Sequence, residues 1–239
     1  MPMEAIPSIE TLLERAVALR PMLHEQQAAC EERSYPSRDV YEAFKANGFF
    51  RVVTPKIYGG FEKSLRDYYS LVIEIARGCP STGWWFALGA THAVQISSYC
   101  APETQRKVFA FDPDFSGPWT WTAPNATIIK ENGGYRLSGT WHFASGGPHS
   151  SFMMAGLTVP VEGFGENSKV TALVPRGSYE ILNDWGDVIG VRGSGSNSVR
   201  IDNIFVPDDM LPCRAAIFIS RTPCLPFPER KRSTRQKRS

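Results

Sequence analysis

A chain of 239 residues with 42% apolar and 21% charged side chains can bury a core of its own, which argues against wholesale disorder and removes the need for a disulfide or metal staple. No apolar run approaches the ~20 residues of a membrane span, and Met1-Pro2-Met3-Glu4 opens no signal peptide, so no membrane is expected as a partner. The net charge of +2 is uneven: residues 221–239 hold seven Lys/Arg and one acid, which leaves residues 1–220 mildly acidic and unsuited to nucleic acid. The five cysteines (Cys30, Cys79, Cys100, Cys213, Cys224) form no CxxC pair, so neither a disulfide framework nor a metal site is expected. The expectation is a cytoplasmic protein with reduced thiols.

The first hundred residues read as helices. Ser8 is a candidate N-cap, followed at helical spacing by Ile9, Leu12, Leu13, Ala16, Val17 and Leu23, with Pro21 expected to kink or divide the stretch. A second helix starts near Ser37, buries Val40, Tyr41 and Phe44, and stops at Gly48. A third runs from Ser64 with Leu65, Tyr68, Leu71, Val72 and Ile75 on one face, ending by Gly78. A fourth follows Pro80-Ser81, and a short fifth follows Pro102.

Near Phe115 the pattern changes to period-two alternation broken by turns. Tyr135, Leu137, Trp141 and Phe143 alternate with polar or small residues after an Asn132-Gly133-Gly134 turn. Residues 151–159, 170–174 and 199–206 are further strand candidates. Helices first and strands second predict a segregated α+β fold, with a helical domain over 1–112 and a small barrel or sandwich over 113–212. Residues 213–239 carry prolines and the basic run and read as a disordered tail. No GxGxxG or P-loop is present.

Three groups of residues invite a chemical reading, each with a plainer one beside it. Trp85, Leu88, His92 and Ile96 put an imidazole on an apolar helix face, either a buried structural histidine or a general base held neutral by its surroundings. Trp119, Trp121 and Trp141, with Thr120, Thr122 and Ser145 nearby, either fill a core or offer flat faces and hydroxyls to a planar cofactor. Arg192-Gly193-Ser194-Gly195-Ser196 is either a flexible turn or a cradle for a phosphate or acyl group.

Taken in order, the segments resemble the acyl-CoA dehydrogenase superfamily. The resemblance rests on the N-terminal helices with Pro55-Lys56-Ile57-Tyr58-Gly59-Gly60, on Gly139-Thr140-Trp141-His142-Phe143-Ala144-Ser145-Gly146, and on Gly190-Val191-Arg192-Gly193-Ser194-Gly195-Ser196 followed by residues 199–207. It covers about residues 8–212. Where the dehydrogenases carry Thr-Glu-Pro followed by Gly-Ser-Asp, this chain has Thr122-Ala123-Pro124-Asn125-Ala126-Thr127. The Trp-His-Phe-Ala-Ser-Gly strand, Cys79-Pro80-Ser81-Thr82-Gly83-Trp84 and His92 are instead similar to the oxygenase components of two-component aromatic monooxygenases.

That resemblance implies an enzyme that takes reduced flavin (FMN or FAD) from a separate reductase. NAD(P)H would serve only through that reductase, and oxygen from dioxygen would pass to a small phenolic substrate during aromatic breakdown. It implies a middle β-barrel, and catalytic roles for His92 toward the phenol and for Ser145 near flavin N5. Trp119, Thr120, Thr122, Trp141, Phe143 and Arg192 would hold the flavin. No metal is implied. Full-length relatives add a C-terminal four-helix bundle and form homo-oligomers, expected to be homotetramers. This chain leaves the pattern near Cys213, so the sequence predicts a truncated chain lacking that bundle, expected to bind reduced flavin weakly and to hydroxylate phenols inefficiently. An acyl-CoA dehydrogenase-type FAD oxidoreductase and a non-catalytic remnant are the alternatives.

Overall fold

The computed structural model describes residues 6–161 and 165–211. Six α-helices precede seven β-strands: α1 Ile9–Glu25, α2 Gln27–Arg33, α3 Arg38–Ala46, α4 Leu65–Gly78, α5 Pro80–Tyr99, α6 Pro102–Phe111, β1 Trp119–Thr120, β2 Thr127–Glu131, β3 Gly134–Trp141, β4 Phe152–Val161, β5 Gly165–Pro175, β6 Glu180–Ile181 and β7 Val199–Pro207. The segregated α+β expectation holds. The expected tail over 213–239 lies outside the described residues.

The helix starts are chemically local. Ser8 Oγ accepts from Thr11 N and Ser37 Oγ from Val40 N, while Ser64 and Asp67 form a reciprocal capping box. Pro80 and Pro102 open α5 and α6 at the position where a missing N–H costs nothing. The expected break at Pro21 is absent: α1 runs through it and ends at Glu25. Pro21 and Val17 both lie on the exposed face, so water can satisfy the carbonyl that loses its intrahelical partner.

α1 packs on α4, where Gly78 leaves room for the backbone of Arg20 and the Leu23 side chain, and an Arg20–Glu74 ion pair crosses the contact. Beneath α5 lies an aromatic cluster of Phe44, Phe49, Phe50, Trp85 and Phe86, with neighbouring rings 5.2–6.3 Å apart. α5 is apolar around most of its circumference and is accordingly the central helix. The same core takes in Phe115, Phe152, Met154 and Leu173, so the helices sit directly on the first sheet.

The strands form two sheets rather than the expected barrel. One has the order β1-β4-β5 and the other β2-β3-β7-β6, with no ladder joining them among the described residues. Leu137, Trp141, Val199 and Ile201 of the second sheet meet Met153, Ala155, Leu157 and Val174 of the first in one core. Two layers burying a shared interior need no closure, because each sheet's apolar face is already covered. β1 and β6, two residues each, carry too little pattern to be read from sequence, and β1 pairs parallel with β4. β2 pairs antiparallel with β3 through the Asn132-Gly133 turn. In the β3–β7 pair the register shifts between Leu137 and Gly139, and Asn203 takes φ +52° opposite the shift, donating its N–H to Ser138 Oγ at 2.9 Å. Phe143 falls outside β3, beyond the end of the alternation expected for it.

Candidate active site

α5 ties the helices to the sheets at three successive points. Near its start, Trp84 Nε1 donates to Ser145 Oγ at 3.4 Å. One turn farther, Gly89 O accepts Gly117 N at 3.0 Å, and Gly146 packs so closely on Gly89 that a Cβ there would lie 3.2 Å from its Cα. The second contact favours glycine at Gly146, which also takes φ +90°. At the third turn, His92 Nδ1 lies 2.7 Å from Gly117 O.

These contacts sort the sequence candidates into two groups. The first surrounds Ser145. Its hydroxyl meets Ser196 Oγ at 2.7 Å, and Ser196 meets Ser194 Oγ at 2.8 Å, a chain of hydroxyls running into the interior. Ser194 is fully buried and Ser196 nearly so. Phe143, two residues before Ser145, is 60% exposed at φ +60°, and its ring meets Trp185 edge-on at 6.4 Å. Trp84 is 48% exposed beside them. A cleft of about 180 Å³ is lined here by His142, Phe143, Asp184, Trp185, Ser196 and Ser198 among others. Two exposed aromatic rings beside a hydroxyl, Trp84 and Phe143, the second on a residue held at positive φ, are a costly arrangement for a surface that does nothing.

The second group surrounds His92, roughly 12 Å along α5 from Trp84 at 1.5 Å per residue. Trp119 meets the imidazole edge-on at 5.7 Å, and Trp121 lies 6.0 Å beyond Trp119. Burial, partly opposed by the bond to Gly117, pushes the His92 pKa down to about 4. A neutral ring that donates from Nδ1 to a carbonyl keeps Nε2 as its acceptor nitrogen. Trp119 Nε1 is buried with no hydrogen-bond partner among the described residues, a donor that a bound polar group would satisfy.

The remaining candidates have structural surroundings. Trp141 is fully buried between the sheets with Nε1 donating to Gly156 O at 3.0 Å, so its indole offers no face to a ligand. Thr120 Oγ1 donates to His142 O at 2.8 Å and accepts from Thr122 N at 3.2 Å, holding the turn after β1, while Thr122 is exposed. Arg192 is exposed, and its Nε donates to Gly186 O at 2.8 Å, which folds the 183–193 loop on itself. Sequence reasoning named Trp84 and Ser196 only within motifs, with no role of their own, and passed over Trp185. A signal for Trp84 existed in the Trp84-Trp85 pair, because adjacent helix positions point about 100° apart and both cannot be buried on one face. Ser196 and Trp185 are brought in by loops, whose course no periodicity reports.

Residues 11–110 match the family described as acyl-CoA dehydrogenase, N-terminal domain. The chain is 32% identical over 195 residues to the flavin-dependent monooxygenase oxygenase subunit HsaA of Rhodococcus jostii, covering 82% of this chain and 50% of that protein. It is 28% identical over 199 residues to the oxygenase component of p-hydroxyphenylacetate 3-hydroxylase of Acinetobacter baumannii, covering 83% and 46%. The crystal structure of 3-HSA hydroxylase from Rhodococcus sp. RHA1 superposes with a TM-score of 0.76 at 31% identity, over 84% of this chain and 52% of that one. The chain thus spans about half the length of the curated relatives it matches.

Proposed function

We propose that the protein, whose residues 11–110 match the acyl-CoA dehydrogenase N-terminal domain family, is the oxygenase component of a two-component flavin-dependent monooxygenase that hydroxylates a small phenolic substrate. The single observation that carries this reading is the Ser145 hydroxyl bonded by the half-exposed Trp84 indole and two residues from the exposed Phe143 ring, which stands edge-on to the half-buried Trp185. The donor set fits a flavin: the aromatic faces suit a planar tricyclic ring, and Ser145, backed by Ser196 and Ser194, can donate to a ring nitrogen at its edge. When bound, reduced flavin supplies the activation of dioxygen. Ser145 orients the ring through its hydroxyl, and the apolar faces of Phe143 and Trp185 keep water from one side of it. His92, neutral at working pH, accepts a hydrogen bond from the phenol at Nε2 and so draws electron density onto the substrate oxygen.

The reading assigns reduced FMN or FAD as cofactor, dioxygen as co-substrate, a separate reductase drawing on NAD(P)H as partner, a homo-oligomer as assembly and a cytoplasmic location. In support of the last, no helix among the described residues is long and apolar enough to cross a membrane. Thr120, Thr122 and Arg192 are assigned to the rim of the flavin site only as positions on the turns that frame it. Incubation with a flavin reductase, NADH, oxygen and a panel of phenols tests the activity, with hydroxylated product and peroxide both measured. Product from one or more phenols is expected. Binding of reduced flavin with peroxide as the sole outcome for every phenol would refute the hydroxylase reading. Activity on acyl-CoA with tightly retained FAD would replace it with a dehydrogenase.

A further inference from the structure

A second cavity lies behind the wall of the cleft that holds Phe143 and Trp185. It measures about 530 Å³, an ordinary size for a small-molecule site, and is lined by Arg33, Tyr35, Pro148, Arg176, Leu182 and Asn197 among others. Two bonded segments divide it from the cleft: Leu182 N–H donates to Ser198 O and Ser198 N–H to Asp184 Oδ1, both at 2.8 Å. Asn183 and Asn197 line the cavity, whereas their chain neighbours Asp184, Ser196 and Ser198 line the cleft. Gly195 N–H donates to Ser34 O at 2.8 Å, which seats this wall against the end of α2.

The cavity collects polar groups that nothing in the protein satisfies. Asn197 is 2% exposed, yet its carboxamide makes no hydrogen bond among the described residues, and its Oδ1 is a buried acceptor without a donor. With no bond holding it, the carboxamide is free to turn toward an occupant. Arg33 donates from Nε to Tyr35 O at 3.1 Å, and its buried Nη2 has no acceptor among the described residues. Arg176 donates from Nη1 to Tyr179 O at 3.1 Å. Neither guanidinium forms an ion pair among the described residues. Glu32 is the one acid on the lining, and burial pushes the His149 pKa down and keeps that ring neutral, so the lining is cationic by one charge.

We infer that this cavity binds a small carboxylate whose apolar, ring-sized body carries a hydroxyl. The carboxylate takes the free N–H groups of Arg33, and the hydroxyl donates to Asn197 Oδ1. Tyr35, Pro148 and Leu182 supply the apolar wall for the body between them. Glu32 on the same lining repels a dianion more strongly than a monoanion, which favours a carboxylate over a phosphate monoester. None of these residues belongs to the flavin site proposed above, so the cavity can take its ligand whether or not flavin occupies the cleft.

Calorimetric titration of the flavin-free protein at pH 7, in a buffer without carboxylate or phosphate, tests the site with 2-, 3- and 4-hydroxybenzoate, benzoate and phenol. At least one hydroxybenzoate should bind roughly tenfold or more tightly than benzoate and than phenol, each of which lacks one of the two polar groups. Arg33→Met should abolish the preference over phenol and keep that over benzoate, and Asn197→Leu should do the reverse. A general loss of structure would erase both preferences together, and thermal melts of each variant check for it. If Asn197→Leu does not fold, the half-buried Arg33→Met position decides alone. His92→Gln should leave the ranking unchanged. No preference for any hydroxybenzoate, or one that survives Arg33→Met, would overturn the proposal. A preference that His92→Gln removes would also overturn it, by placing the molecule beside His92.

Discussion

His92 is held neutral by burial, so acidification should destabilise the fold through this one ring. Its pKa is about 4 in the folded state against 6.5 for the free side chain. At pH 5 the unfolded chain binds nearly one proton at this site and the folded chain almost none. Stability attributable to the neutral ring is therefore complete above pH 6.5 and drains away as the pH falls toward 4. From pH 7 to pH 5 the linkage amounts to about 2 kcal/mol, a large fraction of the stability of an ordinary domain. Urea titrations of the unsubstituted protein and of His92→Gln at both pH values isolate the term, because every other titrating group, His149 included, is common to the two. The variant should lose stability at pH 7 through the broken bond to Gly117 but show the smaller fall between pH 7 and 5. Equal falls in both proteins would refute the reasoning, and would mean that the ring reaches solvent as an imidazolium without cost.

Ser145→Ala should weaken reduced-flavin binding roughly tenfold, the worth of one hydrogen bond to a partly buried acceptor, as read by anaerobic equilibrium dialysis. Trp141→Phe should cost about 1–3 kcal/mol in a denaturant titration, because Gly156 O loses its indole donor inside the sheet core. Phe143→Ala should leave the same titration within about 0.5 kcal/mol of the starting protein, since its ring is exposed.

The helical half was legible because its signals are local. Ser8, Ser37 and Ser64 each hydrogen-bond a backbone N–H three residues on, and Gly48 takes φ +76° beyond α3, so neither depends on distant contacts. The strands were legible by alternation in β3 and β7 and as a long apolar run in β4, and illegible in β1 and β6, whose two-residue pairings are fixed by their partners. A barrel could not be told from two packed sheets, because inward and outward alternation is identical in both.

The site was only partly readable for the same reason. Ser145 and His92 carry chemistry in their own side chains and could be named. Trp141 could not be separated from a ligand-facing tryptophan without knowing that its indole ends on Gly156 O. Trp84 joins Ser145 across 61 residues of sequence, a contact set by how α5 lies on the sheets.

The central claim is that the face formed by Trp84, Phe143, Ser145 and Trp185 receives reduced flavin. Anaerobic titration of the protein with reduced FMN and reduced FAD, followed by quenching of tryptophan fluorescence, tests it most directly, because two of the four residues are the reporting chromophores. The account predicts saturable quenching by at least one reduced flavin, weaker binding of its oxidised form, and a dissociation constant at least tenfold higher in Phe143→Ala. No saturable quenching by either reduced flavin, or a curve that Phe143→Ala and Ser145→Ala both leave unchanged, would contradict it.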